Sequence, residues 1–161
     1  MARPETDQPL QPSFLDRLVR PDGAAGPRGR GQVLRQLKEC IRRDLEDLLN
    51  TRWRPTVWPP DLKELETSLV NYGIPDFTGA NLGSITNQED FCQILQRAIQ
   101  RFEPRFKSVK VSLVKNRDAI DRVLRFRIDA LLHAEPAPEP VVFDSSLEPI
   151  SSTFEVKGGG R

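Results

Sequence analysis

The sequence predicts an α+β fold in which N-terminal helices pack on a C-terminal antiparallel β-sheet of three to four strands. Two observations carry this. Apolar residues recur at helical spacing from Gln32 to Asn50 and again from Thr86 to Phe102, and after Pro104 the apolar period falls to two. Helices that come first and strands that come second, without alternation, build a helix layer against an antiparallel sheet. The domain is expected over residues 32–157, between an N-terminal arm over 1–31 and a glycine-rich tail over 158–161.

The arm is rich in proline, glycine and arginine, and its apolar residues gather at Phe14, Leu15, Leu18 and Val19. Ser13 can cap a short amphipathic turn over 13–19, which either packs on the domain or enters a partner's groove. In the first helix Leu34, Leu37, Ile41, Leu45 and Leu48 share a face, while Arg35, Lys38 and Arg42 line another. Glu39 with Arg43, and Glu46 and Asp47, partly balance that basic face, so it reads as solvated rather than as a polyanion site. Asn50-Thr51-Arg52 closes the helix with a poor helix former followed by a cation that suits the C-terminal dipole.

Trp53-Arg54-Pro55 and Trp58-Pro59-Pro60 form a stiff aromatic loop, and Asp61 can cap a short helix that runs to Asn71 and stops at Gly73. Tyr72, Ile74, Pro75 and Phe77 continue an apolar surface. Thr86 and Glu89 have capping-box spacing ahead of the second long helix, whose stripe is Phe91, Ile94, Leu95, Ala98, Ile99 and Phe102. Arg97 and Arg101 suit its C-terminal end. Val109, Val111 and Leu113 then alternate with Lys110 and Ser112. In a second strand Leu124, Phe126, Ile128, Ala130 and Leu132 face one side, with Arg125, Arg127 and Asp129 on the other. A proline-rich linker over 134–140, a short strand at Val141–Phe143 and a last strand from Ile150 to Val156 complete the set.

Much chemistry is absent. Lys and Arg total 24 against 23 Asp and Glu, so no net field draws the chain to nucleic acid or an anionic membrane. No apolar run approaches the roughly 18 residues of a membrane span, and a cytoplasmic protein without membrane insertion is expected. Cys40 and Cys92 lie on expected helices, far apart in sequence, and read as reduced core residues. His133 is the single histidine and sits on the outer register of a strand, so neither a metal site nor a triad can be built around it. No phosphate-binding glycine loop occurs, and no cofactor is expected. A carboxylate pair for glycoside hydrolysis could be drawn from Glu103 with Asp90, or from Glu46 with Asp47. However, Arg101 and Arg105 favour the ionised form of Glu103, the reverse of what a general acid needs. No catalytic residue is assigned, and the chain is not expected to be an enzyme.

The most informative stretch is Arg101-Phe102-Glu103-Pro104-Arg105-Phe106, where a helix meets a strand and an acid, a proline and a base stand between aromatics. Pro104 disfavours helical geometry at the residue before it, so the helix should end near Phe102 and the flanking charges should be held in fixed directions. Local chemistry allows a docking device or an ordinary helix stop with a surface ion pair.

Segments in a particular order shift that balance: Ser13-Phe14-Leu15-Asp16-Arg17-Leu18, Asp47-Leu48-Leu49-Asn50-Thr51-Arg52, Ser68-Leu69-Val70-Asn71-Tyr72-Gly73-Ile74-Pro75-Asp76-Phe77, and Phe102-Glu103-Pro104-Arg105. Together with Arg125-Phe126-Arg127-Ile128-Asp129-Ala130, they resemble the TssE family, the baseplate subunits of bacterial type VI secretion systems, similar to the small wedge protein of contractile phage baseplates. Phe106 stands where that family often has leucine. The resemblance implies a structural wedge component at the cytoplasmic face of the inner membrane, rather than a peptidoglycan-cleaving lysozyme-like enzyme or a nucleic-acid binding module. It implies partners like TssF, TssG and TssK in the wedge, and like TssB and TssC in the sheath. Phe102, Glu103, Pro104, Arg105 and Phe106 would make the wedge contact, and Leu15 and Leu18 would anchor the arm to a neighbour. The sheet would accept sheath strands by β-augmentation. On this reading Arg105→Ala leaves the isolated domain folded and weakens wedge assembly.

Overall fold

The structure, a computed structural model, describes residues 30–53, 59, 61–77, 84–114, 123–134, 137–149 and 151–159. Among these, helices α1 (Arg30–Asn50) and α2 (Ile85–Phe102) precede strands β1 (Phe106–Val114), β2 (Leu124–Leu132), β3 (Glu139–Glu148) and β4 (Thr153–Gly158). The strands form an antiparallel meander in the order β1-β2-β3-β4. The fold is α+β, with α2 packed along β1 and α1 along β4.

Both periodicities place their apolar sets in one core. From α1 come Ile41, Leu45, Leu48 and Leu49; from α2 come Phe91, Leu95 and Ile99; and from the sheet come Val109, Val111, Phe126, Ile128, Phe143, Leu147, Phe154 and Val156. Aromatic rings fill the centre, with Phe91 5.1 Å from Phe77 and 5.8 Å from Phe126, and Phe154 6.0 Å from Phe77. These separations suit edge-to-face packing. Among the described residues, no helix is long and apolar enough to cross a membrane.

The structure departs from local expectation in four places. α2 begins at Ile85 with Ser84 as its N-cap, so Thr86 lies inside the first turn, and Ser84 makes no side-chain cap hydrogen bond. The short helix expected to end at Asn71 is instead a pair of 3₁₀ turns, Lys63–Thr67 and Leu69–Asn71. Ser68 separates them, its hydroxyl donating to Leu65 O at 2.9 Å, an alternative to helical bonding that serine offers the backbone. β3 spans ten residues where only Val141–Phe143 was expected, because pairing with β2 runs from Glu139 to Leu147. Pro140 is tolerated there because it lies beyond Phe143, the residue opposite the end of β4 at Gly158, where the missing N–H interrupts no ladder. The last strand starts at Thr153, after a turn in which Ser152 takes a φ of 53°.

Among the described residues, one buried side-chain polar group is unmatched. Ser145 is 3% exposed, on the inner face of β3, and its hydroxyl finds no hydrogen-bond partner. A buried hydroxyl without a partner carries its desolvation cost in full. Ser145→Ala should therefore stabilise the protein by about 1 kcal/mol, read from urea denaturation midpoints. A destabilised variant would show that the hydroxyl is satisfied in solution.

Candidate functional site

The corner between α2 and β1 forms as the local chemistry dictates. α2 stops at Phe102, and Glu103 leaves helical geometry at φ −118° and ψ 81°, its N–H still donating to Ile99 O at 2.9 Å. Pro104 follows on an exposed turn, closed by Phe106 N–H donating to Glu103 O at 3.2 Å. This turn sends the Glu103 side chain inward, to 4% exposure.

A carboxylate that deep must be paired, and Arg105 pairs it. Arg105 Nε donates to Glu103 Oε1 at 2.6 Å, its Nη2 donates to Oε2, and its backbone N–H reaches Oε1 at 3.2 Å. The same Nη2 reaches Asp44 Oδ2 on α1 at 2.6 Å, so a single guanidinium ties the corner to the first helix. Burial alone would lower the Arg105 pKa, but hydrogen bonds and Coulombic attraction from Glu103 and then Asp44 outweigh it and raise it. The cation is permanent. With its oxygens held by Arg105, Glu103 is an ion-pair member rather than a group presented for proton transfer.

Around this network meet two of the other segments on which the family resemblance rests, Asp47–Arg52 and Ser68–Phe77; Ser13–Leu18 lies outside the described residues. Tyr72 packs edge-on against Phe102, ring centroids 5.3 Å apart. Its pKa is raised, first by burial and then by the field of Asp47, Asp44 and Glu103. Gly73 takes a φ of +112°, and a Cβ there would stand 2.4 Å from Thr51 O, so the close approach of this segment to the end of α1 requires glycine. Ile74 N–H donates to Thr51 O at 2.9 Å, and Trp53 N–H to Ile74 O at 3.1 Å. Asn50 pairs with the edge of β4 like a short strand: its Nδ2 donates to Phe154 O at 2.9 Å, and Phe154 N–H donates to its Oδ1 at 2.8 Å. Arg52 donates to Leu49 O and to Ser152 O, both at 2.7 Å, and lies 4.5 Å over the Phe77 ring.

Of the residues expected to meet a partner, Pro104 is exposed, Arg105 and Phe102 are half-buried, and Glu103 and Phe106 are buried. Leu15 and Leu18 lie outside the described residues. Asp44 and the strand-pairing role of Asn50 were not anticipated. Neither carries a local signal, since Asp44 is 61 positions from Arg105 and Asn50 is 104 from Phe154. Because Arg105 holds a buried carboxylate, this geometry predicts that Arg105→Ala disturbs the domain itself.

A cavity of about 500 Å³ lies between α1 and the start of β3, lined by Arg35, Lys38, Arg42 and Arg127 with Val141 and Val142. Lys38 pairs with Glu139 at 3.3 Å, Arg42 with Glu39 at 2.9 Å and with Glu46, and Arg127 with Asp129 at 3.1 Å. Glu39 thus pairs with Arg42, one helical turn on. Cys40 and Cys92 are free thiols, Cys92 buried with its pKa raised by that burial and by Glu89. Among the described residues no group of three His, Cys, Asp or Glu could hold a metal ion.

Removing Arg105 strands a buried charge, whereas removing Asp44, itself 33% exposed, leaves Arg105 still paired with Glu103. Arg105→Ala should cost about 3–5 kcal/mol and Asp44→Ala at most about 1 kcal/mol, compared by urea denaturation. Equal losses would refute this hierarchy. Tyr72 carries a pH signature: a raised folded pKa means that stability is intact below the unfolded value and falls as pH rises through the folded one. The wild type should therefore lose stability more steeply than Tyr72→Phe above pH of about 10, while matching it at pH 8. Parallel curves would show that the Tyr72 hydroxyl is no less solvated in the folded protein than in the unfolded chain.

Residues 35–137 match a family model described as baseplate wedge protein gp25. The chain is similar to the anti-adapter protein IraD of Salmonella arizonae, 36% identical over 70 residues, which is 44% of this chain and 53% of that protein. It therefore spans about half the length of that relative. With IraD of Salmonella paratyphi A it shares 31% identity over 102 residues, 62% of this chain and 72% of that protein. A chain in a solved structure of the baseplate complex from the type VI secretion system is 17% identical, with a TM-score of 0.48, over 71% of this chain and 96% of that one. The family match runs from α1 through β2 and takes in Asp44, Glu103 and Arg105 together; the chain belongs to the family of the baseplate wedge protein gp25.

Proposed function

We propose that the protein is a structural, non-enzymatic component of a type VI secretion baseplate wedge, which docks to other wedge subunits and templates the start of the contractile sheath. The observation that carries this reading is the family match across residues 35–137, which encloses the corner network. The wedge partners would resemble TssF, TssG and TssK. The sheath partners would resemble TssB and TssC, whose extended strands would add to the sheet by main-chain hydrogen bonding. The assembly would sit at the cytoplasmic face of the inner membrane.

The corner suits docking because its shape is set before a partner arrives. Pro104 restricts the turn, Arg105 holds Glu103, and Asp44 braces the pair against α1. A preorganised surface loses less conformational freedom on binding than a loop that must be ordered. On this reading Glu103 and Phe106 act from within, by supporting the shape, while Pro104 and the outer side of Arg105 face the partner. Leu15 and Leu18 would anchor the N-terminal arm to a neighbour.

A lysozyme-like activity would need a carboxyl group presented to substrate, and Glu103 is 4% exposed with both oxygens bonded by Arg105. The test is co-expression with candidate wedge subunits followed by pull-down. Pro104→Glu, a change on the exposed tip, should leave the thermal midpoint of the isolated protein within a few degrees and abolish co-purification. Retention of the complex at wild-type yield would refute the corner as the wedge contact.

A further inference from the structure

The two outer edges of the sheet differ in how their backbone groups are occupied. Backbone groups along a strand point alternately to its two sides. On β4, Phe154 bonds Asn50 through both its amide and its carbonyl, and Val156 O accepts Arg42 Nη1 at 3.0 Å. Of the outward groups of β4, the Phe154 amide and carbonyl and the Val156 carbonyl are thus met by α1. On β1, Val111 N–H donates to Gln96 Oε1 at 3.2 Å, so the groups of Val109, Val111 and Leu113 face away from β2. That neutral bond from α2 is the single side-chain cap on this edge among the described residues.

The charges differ as well. β1 carries Lys107 and Lys110, both exposed, and no acid, whereas Lys157 on β4 is already paired with Glu155 at 3.0 Å. A second copy of β1 laid antiparallel would set lysine against lysine, which is unfavourable for cross-strand neighbours and is a common protection of edge strands. A strand bearing carboxylates meets no such repulsion.

We infer that the sheet extends at β1 and not at β4: an extended acidic strand of another protein displaces Gln96 from Val111 and pairs along Val109–Leu113, with its carboxylates facing Lys107 and Lys110. This rests on the strand-addition reading above and specifies its edge and the chemistry of the incoming strand. α1 acts as a permanent cover on the other edge, which makes growth one-sided.

Amide hydrogen exchange on the full chain tests both parts. In the free protein the Phe154 amide should exchange at least about a hundredfold more slowly than those of Val109 and Leu113, and Asn50→Ala should accelerate Phe154 alone. Equal protection at the two edges overturns the inference, whether or not any partner binds. With the sheath subunit pair from the same genome added, Val109 and Leu113 should gain at least about tenfold protection, and Lys110→Glu should weaken binding about tenfold while Lys157→Glu does not. Protection gained at Val156 and Gly158 instead overturns the edge but keeps strand addition. A complex that protects neither edge refutes strand addition itself and this inference with it.

Discussion

The ion pair between Glu103 and Arg105, extended to Asp44, is the contact on which the other packing relationships rest. It fixes the angle at which α2 hands over to β1, and through Asp44 it fixes α1 against that corner. Because Glu103 is 4% exposed, the chain cannot place it there without Arg105 and cannot move Arg105 without exposing an unpaired buried charge. An apolar pair of similar volume could fill the space, but it would not favour one direction of approach so strongly. Two carboxylates converging on one planar guanidinium do.

The far end of α1 applies the same logic to the sheet. Asn50, Arg42 and Arg52 all donate to backbone carbonyls of β4 or of the turn before it, so the helix is held to the last strand by polar groups as well as by Leu45, Leu48 and Leu49. Gly73 lets the Tyr72–Ile74 segment lie directly on Thr51, which brings Tyr72 to Phe102 and closes the circle from α1 back to the corner. Segments scattered along the chain thus serve one purpose, which is to hold both helices in a single position on the sheet.

On the proposed docking role, this rigidity is what the corner would bring to a partner. A surface whose shape is decided internally can present an exposed proline tip at one corner and, at another, a strand edge capped by Gln96 alone among the described residues, without ordering either at the moment of binding. The asymmetry of the edges follows from the helices: α1 reaches β4 with long polar side chains from its C-terminal half, whereas α2 reaches β1 with Gln96.

What the sequence determined by itself was whatever depends on neighbours in the chain. Pro104 ended α2 at Phe102 through backbone sterics, and the alternation from Leu124 to Leu132 set which face of β2 is buried. The order of the family's segments was legible for the same reason. Local signals misjudged the start of α2, where Thr86 looked like a cap but Ser84 precedes the first turn, and the length of β3, where pairing with β2 carried the strand beyond its apolar run. Only the tertiary structure decided that Glu103 is buried, that Asp44 shares its arginine and that Asn50 pairs with Phe154. A glutamate beside a proline reads as exposed, because burying a charge is unfavourable until its partners are in place, and those partners were brought together by the packing of α1 against the corner and β4.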